Sequence, residues 1–276
     1  MFRIVFHKVF IIHDKLCRQG LFYFNVYGTG TISIIYEDYY KYDKYQKGDL
    51  RMYTGNYECL ELFVKSDEGK KGSVLLKNVK ESTTETKELK HIYGNWIKFP
   101  VSRNTEYEIS TQDCTITFAY LSECENIMEN GICVLDTTDN YKEMNKEEFL
   151  RFIDTPYREQ YHFSPVVNWN NDPNGLCWFK GYYHLFYQLN PFGQEWNNMY
   201  WGHAASKDLM HWTHLPVALE PQEEILDNLA IKGGAFSGSA LPMGDEVYFY
   251  LTRHIGPQDD GWDTVQYQTM TKSSDM

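Results

Sequence analysis

Short runs of β-branched and aromatic residues, each followed by a polar or glycine-containing turn, recur through the first half of this chain. Residues 21–36 (LFYFNVYGTGTISIIY) predict two strands, because Gly28 and Gly30 interrupt the apolar run where a turn is needed. Four further short strands are predicted, over residues 59–64, 73–78, 94–101 and 114–121. Strands of this length and spacing are typical of an all-β sandwich.

One segment departs from the strand pattern. A helix is predicted over 145–153 (NKEEFLRFI), where Asn145 caps the first turn and three apolar side chains share one face. The Asp-Thr-Pro sequence that follows would end this helix. We therefore expect a β-sandwich-like accessory domain over residues 1–155 and a second domain over residues 156–276.

The charge balance narrows the class of partner. The chain has 38 acidic and 26 basic residues and a net charge of −12, which disfavours nucleic acid and anionic membranes. Neutral substrates are compatible with this charge, and the aromatic content of 16% suits both a β core and stacking on sugar rings. No run of 18 apolar residues occurs, and the apolar start lacks a clear cleavage site. A cytoplasmic location is the default expectation, and the oligomeric state stays open.

Cysteine and histidine spacing predicts neither a metal site nor a cofactor. None of the six cysteines forms a C-x-x-C pair, so free thiols are favoured over a disulfide frame. His203, His211 and His214 have the spacing H-x7-H-x2-H, which fits no standard zinc pattern. We expect these histidines to lie in the core or at an interface.

The segment NDPNG (171–175) presents a carboxylate on a restrained backbone. Pro173 fixes its own φ and moves Asp172 out of the helical region. Asn174 and Gly175 are strong turn formers, so Asp172 is predicted at a strand end beside a tight turn. An ordinary Asx turn has the same appearance and is the commoner meaning of these five residues alone.

A longer set of motifs resembles glycoside hydrolase family 32, which contains invertases, inulinases and levanases. In chain order these motifs are YHFSP (161–165), WNNDPNG (169–175), YYHLFYQLNP (182–191), WNNMYWGHAASKDLMHWTHLP (196–216) and FSGSA (236–240). The resemblance covers roughly residues 157–275. It implies part of a five-bladed β-propeller and a retaining reaction on sucrose, inulin or levan through a covalent fructosyl-Asp intermediate.

The resemblance also implies roles for individual residues. Asp172 matches the catalytic nucleophile of the family. The positions that match substrate contacts are Asn171, Asn174, Gln188, Trp196, Phe236 and Ser237. Each has a simpler structural explanation, since large aromatic residues are usually core and polar residues commonly close strands or turns.

The sequence also departs from the family pattern. Asn170 stands where Met is usual, and YLTRHIG (250–256) replaces a more common Tyr-Thr-Gly. The Arg-Asp-Pro motif of the transition-state stabiliser and the Glu-Cys context of the acid do not occur after Ser237. We therefore expect about two blades of five and a truncated catalytic domain that is inactive by itself.

Two alternatives to a fructoside hydrolase stay open. A levan fructotransferase would form the same intermediate and pass the fructosyl unit to a sugar hydroxyl instead of water. A non-catalytic carbohydrate-binding protein would use the N-terminal β region as its sugar-binding module. For that module the sequence offers Tyr93 and Trp96 as exposed aromatic candidates, which suit a core equally well.

Overall fold

A computed structural model of the chain describes residues 21–26, 32–37, 50–67, 70–137, 162–257 and 264–276. The chain divides into two compact units, Met1–Gln46 and Lys47–Met276. In the first unit, strands β1 (Leu21–Val26) and β2 (Ile32–Glu37) pair antiparallel, which confirms the prediction for residues 21–36. The helix predicted over 145–153 and the boundary near residue 155 lie outside the described residues.

The second unit begins with eight strands in two antiparallel sheets. These strands are β3 Leu50–Tyr53, β4 Cys59–Ser66, β5 Ser73–Asn78, β6 Thr84–Glu88, β7 Gly94–Pro100, β8 Glu106–Gln112, β9 Cys114–Ser122 and β10 Cys133–Val134, with the short helix α1 Ile127–Asn130 before β10. The sheet orders are β3-β8-β5-β6 and β10-β9-β4-β7. Leu62 and Ile109, one from each sheet, are fully buried in one shared core. The two sheets therefore form a sandwich, and the four strands predicted here are confirmed.

Two further antiparallel sheets follow in the second unit. Their elements are β11 Trp169–Phe179, β12 Tyr182–Asn190, β13 Tyr200–Ser206, β14 Trp212–Leu219, the short helix α2 Glu223–Leu226, β15 Ile231–Met243, β16 Glu246–Pro257 and β17 Val265–Ser273. Strands β11 to β14 form the first sheet and β15 to β17 the second, each in chain order. This meander is the arrangement of propeller blades. Phe186 of the first blade and Phe249 of the second pack at a ring-centroid distance of 5.1 Å.

The fold is all-β, as predicted, although the local structure of NDPNG differs from the prediction. These residues lie inside β11, where the register slips between Asn170 and Pro173 and again between Asn174 and Cys177. The hairpin turn lies at Lys180 and Gly181, whose φ values of 45° and 87° fit a type I′ turn. A strand at the edge of its sheet tolerates both bulges and a proline, which explains why the motif continues the strand instead of ending it.

An aromatic cluster joins the sandwich to the first blade. The interface cluster comprises Phe63, Trp96 and Phe118 from the sandwich and Phe192 and Tyr200 from the blade. Ring centroids of Phe63 lie 6.0 Å from Phe192 and 5.8 Å from Tyr200, both in edge-to-face geometry. Burial of so many rings fixes the two sheets against each other. Within the described residues, no helix has the length and apolar character to cross a bilayer.

Candidate functional site

Two β-bulges bring the predicted nucleophile and a hydroxyl group together. Asp172 lies in the first bulge of β11, and Ser237 lies in a bulge of β15 where the register slips between Ala235 and Gly238. Ser237 Oγ donates a hydrogen bond to Asp172 Oδ2 at 3.1 Å. Both side chains are exposed, so an external molecule can reach the carboxylate. A bulge turns a side chain away from the regular ladder, which explains how two edge strands direct these groups to one place.

The amides beside Asp172 differ in their surroundings. Asn171 Oδ1 accepts a hydrogen bond from Trp169 Nε1 at 2.9 Å, so its side chain is held by the indole. Asn174 is 1% exposed, and neither its Nδ2 nor its Oδ1 has a hydrogen-bond partner. A buried amide without partners costs about 1–3 kcal/mol. Such a buried group is rare in native proteins and requires a structural or functional explanation.

Gln188 connects the two blades behind this pair. Its side chain is 2% exposed, and Nε2 donates to the carbonyl oxygen of Ala235 at 2.8 Å. Trp201 Nε1 lies 3.1 Å from the same oxygen and 3.1 Å from that of Phe236. These donors hold the backbone immediately before Ser237. The substrate contact predicted for Gln188 stays a prediction. What the structure shows is its hydrogen bond to the backbone of β15.

Aromatic rings from both blades meet at Phe236, the residue before Ser237. Trp196 is 38% exposed and meets Phe236 edge to face at 6.2 Å. Phe236 in turn stacks on His254 at 4.3 Å with an interplanar angle of 6°. His254 Nδ1 lies 2.9 Å from Gln266 Nε2, and burial lowers the pKa of the imidazole. A neutral ring therefore supports Phe236.

His254 and Trp169 were not among the residues predicted for the site. Trp169 belongs to the WNNDPNG motif, so its proximity to Asp172 in sequence was the available signal. His254 lies in YLTRHIG, the segment that departs from the usual family pattern. Its contact with Phe236 arises from strand pairing, because Gly234 lies opposite His254 in the register of β15 and β16. A departure from a family pattern beside a predicted site was therefore the signal for His254.

The histidines of the H-x7-H-x2-H set do not converge. His203 is buried and pairs with His184 at 3.0 Å between Nε2 and Nδ1, which confirms the prediction for this residue. His214 is half-buried and contacts the ring of Phe163 at 5.6 Å. The prediction is wrong for His211, because its ring is exposed and hydrogen-bonds the Asp208 carboxylate three residues earlier in the same surface bend. Among the described residues, no group of three His, Cys, Asp or Glu side chains can hold a metal.

A cavity in the described part of the chain lies apart from the residues predicted for the site. It has a volume of about 760 Å³ and lies among the sandwich and both blades. Glu61, Cys59 and Cys124 line it from the sandwich, and Phe186 and Phe249 line it from the blades. None of the predicted site residues borders it. The candidate site is instead the open edge where β11 and β15 approach each other.

A carboxylate, amides and aromatic rings thus lie on two propeller-type blades that follow a β-sandwich. The family model for the "Glycosyl hydrolases family 32 N-terminal domain" matches residues 162–276. This stretch, which is less than half of the chain, is therefore similar to the N-terminal domain of that family.

Relatives of known name agree with this family. A levanase of Bacillus subtilis is 56% identical over 90 residues, which are 33% of this chain and 12% of the levanase. A sucrose-6-phosphate hydrolase of Zymomonas mobilis is 39% identical over 135 residues, or 49% of this chain and 25% of the enzyme. The chain thus spans a quarter or less of the length of these relatives.

A solved structure extends the likeness beyond the blades. The glycoside hydrolase family 32 structure from Bifidobacterium adolescentis is similar with a TM-score of 0.75 and 33% identity, over 82% of this chain and 38% of that one. Residues 162–276 make up less than half of the chain. The likeness therefore includes much of the N-terminal region, so a sandwich beside the blades is not peculiar to this chain.

Proposed function

We propose that this site cleaves β-fructofuranosides, either sucrose or a fructan such as inulin or levan, with Asp172 as the nucleophile. The observation that carries the proposal is the hydrogen bond from Ser237 to Asp172, formed between two bulged strands at an accessible edge. A hydroxyl donor stabilises the negative charge of a nucleophilic carboxylate. The names levanase and sucrose-6-phosphate hydrolase among the relatives support the substrate class.

The proposed reaction has two displacements at the anomeric C2. Asp172 Oδ attacks C2 while the glycosidic C2–O bond breaks, and the leaving oxygen takes its electron pair and a proton from an acid. Water then attacks C2 of the fructosyl-Asp ester and gives a proton to the conjugate base of that acid. Fructose and the Asp172 carboxylate are released with net retention. In a fructosyl transfer, a sugar hydroxyl takes the place of this water.

The other predicted residues have supporting parts in this reaction. Asn171 and the unpartnered amide of Asn174 supply hydrogen bonds to the fructosyl hydroxyls. Trp196 and Phe236 form an apolar wall against which a sugar ring packs. The neutral His254 holds the plane of Phe236.

A substrate with an activated leaving group tests the nucleophile independently of the acid. The nitrophenolate of p-nitrophenyl β-D-fructofuranoside leaves without protonation, so the first step needs Asp172 but not the acid. We expect a burst of nitrophenolate stoichiometric with the 276-residue chain, and no burst from Asp172→Asn. A chain that shows no burst and binds no fructoside would refute the proposal.

Natural substrates then test the sequence-based expectation that the acid is missing. A burst without fructose release from sucrose, inulin or levan would agree with that expectation. Steady fructose release that Asp172→Asn abolishes would show that the 276 residues contain an acid. Products longer than the substrate would identify transfer in place of hydrolysis.

The surroundings of Tyr93 and Trp96 do not favour the alternative of a non-catalytic carbohydrate-binding protein. Tyr93 is only 9% exposed. Trp96 stacks on Phe63 at 5.4 Å, and the ammonium group of Lys98 lies 4.0 Å from the centroid of the same indole. Because Phe63 and Lys98 occupy the ring, Trp96 offers no free face to a sugar.

A further inference from the structure

A single backbone carbonyl joins the sandwich to the strand that bears Asp172. The carbonyl oxygen of Pro191, in the loop after β12, lies 3.0 Å from Thr117 Oγ1 of the sandwich strand β9. The same oxygen accepts a hydrogen bond from Asn168 Nδ2 at 2.8 Å. A carbonyl oxygen has two lone pairs, so it can accept from both donors at once.

A bulge in the sandwich directs Thr117 to this loop. The register between β4 and β9 slips after Phe63, which pairs with Phe118, while Val64 pairs with Ile116. Thr117 is the unpaired residue between them, and bulges turn such side chains out of the ladder. Its hydroxyl also lies 3.0 Å from the carbonyl oxygen of Phe63, so its one proton is shared between two acceptors.

Packing of Phe192 holds the same loop from the sandwich side. Phe192 is 6% exposed and meets Phe63 and Tyr93 edge to face at 6.0 Å and 5.6 Å. Gly94 makes this approach possible, since a Cβ at that position would lie 2.5 Å from the Phe192 ring. The position of the loop is therefore set by the sandwich through both a hydrogen bond and ring packing.

The loop in turn holds the start of β11. Asn168 has φ +68°, and the next residue, Trp169, donates its backbone N–H to the carbonyl oxygen of Gly193 at 3.0 Å. Trp169 Nε1 then donates to Asn171 Oδ1, and Asp172 is the next residue. Contacts thus run without interruption from Thr117 in the sandwich to the residue beside the nucleophile.

We propose that the N-terminal sandwich positions the nucleophile, with Thr117 and Asn168 as positioning residues that act through the Pro191 carbonyl. This inference rests on the proposed function of Asp172. Asn171 and Asp172 are unpaired with β12 because of the bulge, so the ladder alone leaves their backbone free to shift. An error of about 1 Å in the position of a reacting group costs roughly 10²-fold in rate. A bulged nucleophile strand therefore needs a second support, which the sandwich supplies.

Three threonine variants test this proposal. Thr117→Val removes the hydroxyl and keeps the shape, and Thr117→Ser restores the hydroxyl. Thr115→Val is a matched control on the same strand, where Thr115 is half-buried and pairs with the exposed Lys65. With p-nitrophenyl β-D-fructofuranoside, we expect Thr117→Val to slow the single-turnover release of nitrophenolate about tenfold with little change in substrate affinity. Thr117→Ser and Thr115→Val should keep the wild-type rate.

A second readout does not depend on activity. The indole N–H resonance of Trp169, assigned with Trp169→Phe, reports its hydrogen bond to Asn171 directly. We expect Thr117→Val to move this resonance and Thr115→Val to leave it in place. If the wild-type chain gives no burst and binds no fructoside, the proposed function fails, while the indole resonance still decides whether the sandwich positions this strand.

Asn168→Gly removes the other hydrogen bond to the Pro191 carbonyl, the one donated from the blade. Glycine adopts φ +68° without strain, so this variant removes the amide donor and preserves the backbone conformation. It should slow the release of nitrophenolate and move the Trp169 resonance as Thr117→Val does. Wild-type values of both quantities in folded Thr117→Val and Asn168→Gly would overturn the proposal.

Discussion

The interface cluster and the site use the same kinds of residue in different ways. In the interface cluster, Phe63 is fully buried and lies within 6.2 Å of five other aromatic rings. At the site, Trp196 is 38% exposed and touches Phe236 by an edge. Rings covered on all sides stabilise the fold, and rings with a free face are available to a ligand. Aromatic content therefore indicates neither role until the neighbours are known.

The polar groups of the two regions show the same contrast. Glu61 in the interface is 3% exposed and accepts hydrogen bonds from Trp96 Nε1 at 2.7 Å and from the Tyr120 hydroxyl at 3.0 Å. Asn174 at the site is as deeply buried and has no partner. A buried carboxylate with its donors in place stabilises the fold, whereas a buried amide without partners costs stability.

Truncation of Phe63 gives the largest expected loss of stability. Phe63→Ala should lower the free energy of unfolding by about 3–5 kcal/mol, because it removes a fully buried ring and leaves a cavity. Urea denaturation measures this change. The matched variant Phe236→Ala, at a half-buried ring of the site, should lose much less stability. Equal losses would contradict the distinction between the two regions.

Replacement of Glu61 should have the next largest effect. Glu61→Leu leaves the Trp96 and Tyr120 donors without an acceptor, at a cost of about 1–3 kcal/mol for each buried group. The free energy of unfolding is again the quantity to measure. Glu61→Gln retains one acceptor oxygen and should recover part of the loss. An unchanged stability in Glu61→Leu would mean that the buried donors find other partners.

Unlike the two preceding variants, removal of the Trp196 side chain should weaken substrate binding more than it lowers the free energy of unfolding. In an Asp172→Asn background, which prevents turnover, Trp196→Ala should weaken fructoside binding by about 1–2 kcal/mol, because apolar area covered by the sugar is lost. Calorimetric titration measures this affinity. Trp96→Ala is the control and should reduce stability without a comparable loss of affinity. The opposite outcome would place the sugar at the sandwich.

The buried histidine pair predicts a smaller, pH-dependent effect. Burial lowers the pKa of both His184 and His203 below the ordinary value of 6.5, and it lowers that of His203 further. The folded state therefore binds fewer protons than the unfolded state, so their contribution is complete above pH 6.5 and is lost as the pH falls below it. Unfolding by urea at a series of pH values should show this decline. His203→Gln should make the free energy of unfolding depend less steeply on pH. An unaltered pH dependence would contradict its attribution to the buried histidine pair.

Much of the architecture could be predicted because strands are encoded locally. The short apolar run within residues 73–78 and the glycine-interrupted run of residues 21–36 each contain their own signal, and both strand predictions were confirmed. The motif NDPNG was harder, because its turn-forming residues also suit a bulged edge strand. Only pairing with β12 decides between these two structures, and that pairing depends on residues outside the motif.

Sequence alone determined the strands and the family motifs, since both consist of neighbouring residues. The tertiary structure decided which groups meet. Ser237 reaches Asp172 across 65 residues of chain, and Thr117 reaches Pro191 across 74. It also placed Tyr93 and Trp96 in an interface. The physical reason is that contacts between distant segments depend on how whole sheets pack, which no short stretch of sequence contains.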